Sequence, residues 1–261
     1  MDHLIFLHIP KSGGSTLHSI LQRQYGKRHC HNVRNNREAL AFHELSDSER
    51  QQVRVLKGHM AHGHDKAFKG NTEYITILRH PLDRVVSNYY FILSRPQHRL
   101  HEQVSKLSLS EYVSSGVTAN SENAQIRLLS DNIDAPHGGC TAAMLEIAKE
   151  NILNNYPIAG VTEMYDEFLI AAAAHFDWKT PFYSRINVNK KRKRIAEIDD
   201  EAKRIILEYN SLDLELYEFV KDRFEKQWDQ NKSVFEPKLA KFKKRNRLFQ
   251  KLARIKRKLL N

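Results

Sequence analysis

Residues 8–17, HIPKSGGSTL, combine a lysine, two adjacent glycines and two hydroxyls ahead of a helical pattern. Such a segment is suited to holding a phosphate or sulfate. A helix N-terminus presents unpaired backbone N–H groups and a partial positive charge. Gly13 and Gly14 let the backbone approach an oxyanion closely. Ser15 and Thr16 add hydroxyl donors, and Lys11 adds a full positive charge. In the nucleotide loop GxxxxGK the lysine follows the second glycine, whereas Lys11 precedes its glycine pair. This is therefore a phosphate loop, but of another kind. A second cluster is KGHMAHGHD, residues 57–65, which holds His59, His62 and His64. Imidazole titrates at about pH 6.5, so each of the three could act as a base at neutral pH.

The elements that must position these groups are legible in the pattern. Leu4–Ile9, Val53–Lys57, Tyr74–Leu78 and Tyr156–Val161 read as strands. From Ser15, Leu17, Ile20, Leu21 and Tyr25 fall on one helical face, and Gly26 is a stop signal. Ser46–Gln52, Leu82–Leu93 and Glu163–Phe176 read as helices. Residues 96–155 are mostly helical, with a break at 134–139, and helices dominate to the end. Strands alternating with helices predict an α/β fold: a P-loop-like central parallel sheet flanked by helices, with a helical C-terminal extension. Such sheets bind ligands at the carboxyl ends of their strands, where both the Lys11 loop and His59 fall.

The 261 residues suffice for one large domain. No run of 18 apolar residues occurs, and Leu4–Ile9 is too short for a signal-peptide core. A cytoplasmic chain is expected. Two cysteines, Cys30 and Cys140, make no disulfide scaffold. His29-Cys30-His31 lacks the further ligands that a metal site needs, so no metal is expected. The net charge of +11 belongs to the tail: eleven basic residues lie between Lys238 and Lys258, and no acid follows Glu236. Without those eleven, 31 basic residues face 31 acidic ones. A nucleic-acid-binding body is thereby disfavoured. The chain divides into a domain at residues 1–236 and a basic amphipathic tail at 237–261.

PKSGGST resembles the 5′-phosphosulfate loop of the sulfotransferases that use 3′-phosphoadenosine 5′-phosphosulfate (PAPS). ILRHPLDRVVSNYY, residues 77–90, is similar to their second box. There a strand ends in Arg, a Pro follows, and the next helix bears Ser. The resemblance implies that Lys11, Ser12, Gly13, Gly14, Ser15, Thr16 and Leu17 bind the donor's phosphosulfate, and that Arg79 and Ser87 bind its 3′-phosphate. A guanidinium fork suits a phosphate. Tyr89 and Tyr90 read as core. The chain is also similar to the heparan uronyl 2-O-sulfotransferase branch, which has a Gly-His pair after a strand at the place of Gly58-His59. That likeness favours His59 as general base, with His62 and His64 as alternatives, and Lys11 as the group that stabilises the departing phosphate. The implied reaction moves a sulfuryl group from PAPS to a hydroxyl of an acceptor, by the same likeness a glycan, and needs no metal. A metal-dependent kinase of a related fold would need a strand-end Asp, and Val53–Lys57 ends instead in Gly58-His59.

Three signals are weaker. Asn123, Gln125 and Arg127 resemble an acceptor-facing helix of the same branch, or form a plain solvated face. NVNKKRKR, residues 187–194, reads as a loop that either is solvated or meets an anion. DLELYEFV, near Asp213, resembles a packing helix. In the tail, Leu248, Phe249, Leu252, Ile255 and Leu259 recur at helical spacing among basic residues. That helix could lie on an anionic membrane, holding the protein peripherally there, or be simply solvated. A non-enzymatic basic membrane-binding protein is thus the remaining alternative.

Overall fold

Residues 1–184 and 192–259 are described by the computed structural model. Five strands form one fully parallel sheet: β1 (His3–Leu7), β2 (Cys30–Val33), β3 (Val55–Gly58), β4 (Thr72–Leu78) and β5 (Ile158–Val161), in the order β2-β3-β1-β4-β5. Strand β1 is central and buried along its length. Its side chains alternate between faces, as a strand's must: Leu4 and Phe6 enter one core, Ile5 and Leu7 the other. Because every strand runs the same way, the loops leaving β1, β2, β3 and β4 open on one edge.

Helix α1 (Gly14–Tyr25) follows β1, and α2 (Asn36–His43) and α3 (Asp47–Gln52) follow β2. Ser46 caps α3 in a reciprocal box with Glu49. After β4 come α4 (Pro81–Leu93), α5 (His101–Val104), α6 (Leu109–Ser114), α7 (Ala124–Leu129) and α8 (Ala142–Asn155). After β5 come α9 (Tyr165–His175), α10 (Asp200–Tyr209), α11 (Ser211–Gln230) and α12 (Lys232–Leu259). One face of the sheet packs α2, α7, α8 and the first half of α11. The other packs α1, α9, the end of α11 and α12. Helices α4, α5, α6 and α10 share a third core, where Tyr89 is buried and Tyr90 packs at its margin.

The fold class is as expected, but two elements were not foreseen. Strand β2, CHNV, is an edge strand with one buried residue, so it carries no apolar run. Helix α2 follows it, capped by the Asn35 side chain on the Glu38 N–H. The expected boundary at residue 237 falls inside α12, which runs unbroken from Lys232 and buries Phe235 and Phe242 in the same core as Trp228. Cys30 and Cys140 are free thiols. No described helix is long and apolar enough to cross a membrane.

Candidate active site

A cleft of about 660 Å³ opens at the carboxyl edge of the sheet. It is lined by Lys11, Gly13, Gly14, Ser15 and Thr16 after β1, by Asn35 and Asn36 after β2, by His59 after β3, and by Arg79 and Ser87 after β4. Both boxes and one of the three histidines thus meet in one space.

The Lys11 loop has the features that an anion-binding loop needs. Helix α1 starts without any side-chain cap, after Gly13 in a left-handed conformation (φ 77°) that favours glycine. Gly14 is required for a different reason: a Cβ there would lie 2.0 Å from the His8 ring. The Ser12 hydroxyl is buried without a hydrogen-bond partner, and Ser12 does not line the cleft. Lys11 itself sits at φ 70°, uncommon for a residue with a side chain. Its ammonium lies 3.7 Å from the centre of the Phe91 ring. Burial, and then Arg79, Arg95 and Arg192, push its pKa down to about 8. Leu17, like Ser12, does not line the cleft. Its side chain is fully buried in the core beside α1, so only its backbone could face a ligand.

Arg79 directly follows β4 and joins the two boxes. Its Nη1 donates to the Lys11 carbonyl at 2.9 Å, and its Nε and Nη2 donate to Asp83 at 2.9 and 2.6 Å. Asp83 also pairs with Arg192, and Arg79 and Arg192 hold its carboxyl below the ordinary range against the opposing effect of burial. The Arg79 backbone is fixed too. Gln125 accepts its N–H and donates to its carbonyl, both at 3.0 Å. Gln125 stands on α7, in whose first turn the N–H groups of Gln125 and Ile126 are held by the buried carboxylate of Asp213. Asp213 faces the equally buried Arg84 at 3.7 Å. Asn123 and Gln125 are therefore buried scaffold and not a solvated face, and neither lines the cleft. Arg127 lines the cleft while paired with Glu122. Of the basic stretch at 187–194, residues 187–191 lie outside the described residues.

The three histidines have separate surroundings. His59 lines the cleft, stacks on His8 with ring centres 4.3 Å apart, and places Nδ1 2.9 Å from the His8 carbonyl oxygen. A carbonyl can only accept, so Nδ1 carries the hydrogen and Nε2 keeps its lone pair. Burial lowers the His59 pKa, partly offset by that bond. His62 bonds the Tyr156 hydroxyl and lies against Tyr74. His64 is buried between His43 and Asn36, at 2.8 and 3.1 Å. Neither lines the cleft. His8 was missed by sequence reasoning, because it continues the apolar run of β1. It lines the cleft and shares a 3.1 Å hydrogen bond with His18. Burial, then the neighbouring His59, His18, Lys11 and Lys57, hold its pKa well below the usual value. Among the described residues, no group of three or more acidic, His or Cys side chains could hold a metal ion.

The sulfotransferase family model matches residues 1–220. The chain belongs to the sulfotransferase family. Membership makes it a PAPS-dependent enzyme, and its similar relatives lie in the carbohydrate branch. Human heparan-sulfate 6-O-sulfotransferase 1 is 25% identical over 283 residues, covering 89% of this chain and 68% of the relative. Chicken heparan sulfate 2-O-sulfotransferase 1 is 25% identical over 254 residues, covering 85% and 70%. A crystal structure of a mouse sulfotransferase complexed with PAP aligns at 15% identity with a TM-score of 0.36, over 82% of this chain and 65% of that one.

Proposed function

We propose that this sulfotransferase transfers a sulfuryl group from PAPS to a hydroxyl of a glycan, with His59 as general base. The observation that carries the reading is the meeting of Lys11, Ser15, Thr16, Arg79, Ser87 and His59 around one cleft. The donor supplies an activated sulfuryl group on a phosphate leaving group. The loop at Lys11–Thr16 holds the phosphosulfate with backbone N–H groups, hydroxyls and one ammonium. Arg79 and Ser87 hold the 3′-phosphate, through the guanidinium N–H groups that the bonds to Asp83 and the Lys11 carbonyl leave over and through the α4 hydroxyl.

The acceptor oxygen forms its bond to sulfur as the bond from sulfur to the phosphate oxygen breaks. The acceptor proton passes to Nε2 of His59, which is the free nitrogen of the tautomer set by the His8 carbonyl. Negative charge gathers on the departing phosphate, and protonated Lys11 stabilises it there. In-line positioning of donor and acceptor supplies much of the remaining rate. The cleft is also lined by Arg99, which suits an acceptor bearing a carboxylate or sulfate, and by Arg34 and Arg127, which are paired with Glu38 and Glu122.

The test is incubation of the protein with PAPS and a panel of desulfated glycans, followed by mass spectrometry. One SO₃ added to a glycan, with loss of that product in His59→Ala, is the expected result. Sulfation of a protein tyrosine or a small phenol in preference to every glycan would overturn the acceptor class.

A further inference from the structure

Helix α12 has two unlike faces. Phe235, Leu239, Phe242 and Asn246 turn inward, and the Asn246 side chain accepts the Tyr183 N–H at 2.9 Å. Phe249 continues this face and stacks on Phe182 at 5.7 Å. At about 100° per residue, Leu248, Leu252 and Ile255 point roughly 180–240° away from Asn246. They are 59%, 67% and 47% exposed. Val234 lies in the same angular sector near the helix start and is also exposed. Lys244, Arg247, Lys251 and Arg254 flank one side of this stripe and Arg245 the other, Lys241 falls within the stripe's own sector about two turns before Leu248, and all of them are exposed. No acidic residue follows Glu236.

We propose that the outward face of α12, from Leu248 to Ile255, docks this enzyme on an anionic lipid surface. The helix lies parallel to the surface with its aliphatic stripe in the acyl boundary and its basic flanks among the headgroups. An exposed aliphatic stripe and positive flanks occur together on this face. A soluble polyanion would engage the charges but leave Leu248, Leu252 and Ile255 in water. A second copy of this face would bring its own basic flanks against them. An anionic membrane satisfies both halves of the pattern. The inward contacts of Phe242 and Asn246 tie the helix to the catalytic domain, so docking holds the domain at the surface.

The test is flotation of the full chain with vesicles of phosphatidylcholine alone, and of phosphatidylcholine with phosphatidylserine. Three proteins are compared: wild type, the triple variant L248Q/L252Q/I255Q, and the charge variant K251E/R254E. All five positions are exposed, and thermal unfolding confirms that each variant folds. Wild type should float with the anionic vesicles, fail with the neutral ones, and lose binding as salt is raised. Each variant should bind about tenfold more weakly or worse, with turnover of a short soluble acceptor unchanged. The proposal is overturned if wild type ignores anionic vesicles, or binds neutral ones equally. It is also overturned if the glutamine variant floats like wild type, if wild type binds heparin but no vesicle, or if the stripe proves to be a dimer contact by its loss in L248Q/L252Q/I255Q during size-exclusion chromatography.

Discussion

His59 Nδ1 lies 2.9 Å from the backbone carbonyl oxygen of His8, so the β1 loop fixes the tautomer of a histidine that follows β3. The bond ties the candidate base to the same strand end that carries the phosphate loop. It also leaves Nε2 as the nitrogen able to receive a proton. His59→Ala should therefore lower kcat by about 10²–10⁴-fold while leaving the affinity for adenosine 3′,5′-bisphosphate nearly unchanged. His62→Ala and His64→Ala should instead lower stability, because each removes a hydrogen bond outside the cleft. Calorimetric titration and steady-state kinetics separate the two effects. A larger kcat loss from His62→Ala or His64→Ala than from His59→Ala would reassign the base.

The pH profile should be bell-shaped. His59 must be neutral to accept a proton, and burial lowers its pKa. Activity should therefore be lost as pH falls through a value below the usual imidazole pKa of about 6.5. Lys11 must be charged to stabilise the leaving phosphate, and its pKa is pushed down to about 8. In the free enzyme kcat/KM should fall as pH rises through that value. Bound donor adds negative charge beside Lys11 and should move the alkaline limb of kcat upward. Lys11→Arg should abolish the limb near pH 8 while keeping some turnover. An alkaline limb unchanged in Lys11→Arg would mean that another group titrates there.

Arg79 makes contacts within the protein before any ligand arrives, to Asp83 and to the Lys11 carbonyl. Arg79→Ala should weaken bisphosphate binding by about 1.5–3 kcal/mol, the range of a charge-assisted contact. Ser87→Ala should cost about 0.5–1.5 kcal/mol. Adenosine 5′-phosphate, which lacks the 3′ group, should bind wild type poorly and lose little more in Arg79→Ala. The measurement is the ligand-induced rise in Tm of each protein, compared with its own ligand-free value. Equal binding of the two nucleotides by wild type would remove the 3′-phosphate role from Arg79.

Much of this site was legible because its chemistry is local in the chain. Lys11, Gly13 and Gly14 stand within one loop, and Arg79 and Ser87 bracket one strand-to-helix junction. What escaped depended on contacts distant in sequence. Gln125 grips the Arg79 backbone across 46 residues, and nothing in residues 121–131, SENAQIRLLSD, marks that partner. Asp213 reads as one acid in an amphipathic helix, yet it is fully buried and holds the start of α7. His8 hid in an apolar run. Strand β2 had one buried side chain to show, and its pairing with β3 comes from the backbone. In the tail, the charge count obscured the inward spacing of Phe235, Leu239, Phe242 and Asn246.

Gly14 and His8 should be energetically coupled. A methyl group on Gly14 would overlap the His8 ring, with its nearest atom 2.0 Å away. Gly14→Ala should cost about 1–3 kcal/mol through overpacking and displace the His8 ring from beneath His59. His8→Ala removes the obstacle, so Gly14→Ala made in that background should cost far less. The double-mutant cycle, read by urea unfolding, should give an interaction energy of about 1 kcal/mol or more. Additive costs would show that Gly14 is needed for the backbone alone.

The first half of α12 should behave as core and the second half as appendage. Phe242 is 2% exposed and stacks near Phe182, and Asn246 satisfies the Tyr183 N–H. Phe242→Ala should destabilise by about 3–5 kcal/mol, as expected for a large buried side chain. Truncation after Glu236 removes Leu239, Phe242 and Asn246 together, and should leave a poorly folded or aggregating protein. Truncation after Gln250 keeps all three, and should preserve Tm and turnover within experimental error. The comparison decides where the domain ends, because a boundary at residue 237 requires the shorter chain to fold. If the chain ending at Glu236 unfolds cooperatively with a Tm close to that of the full chain, the packing of α12 contributes little and the domain does end there.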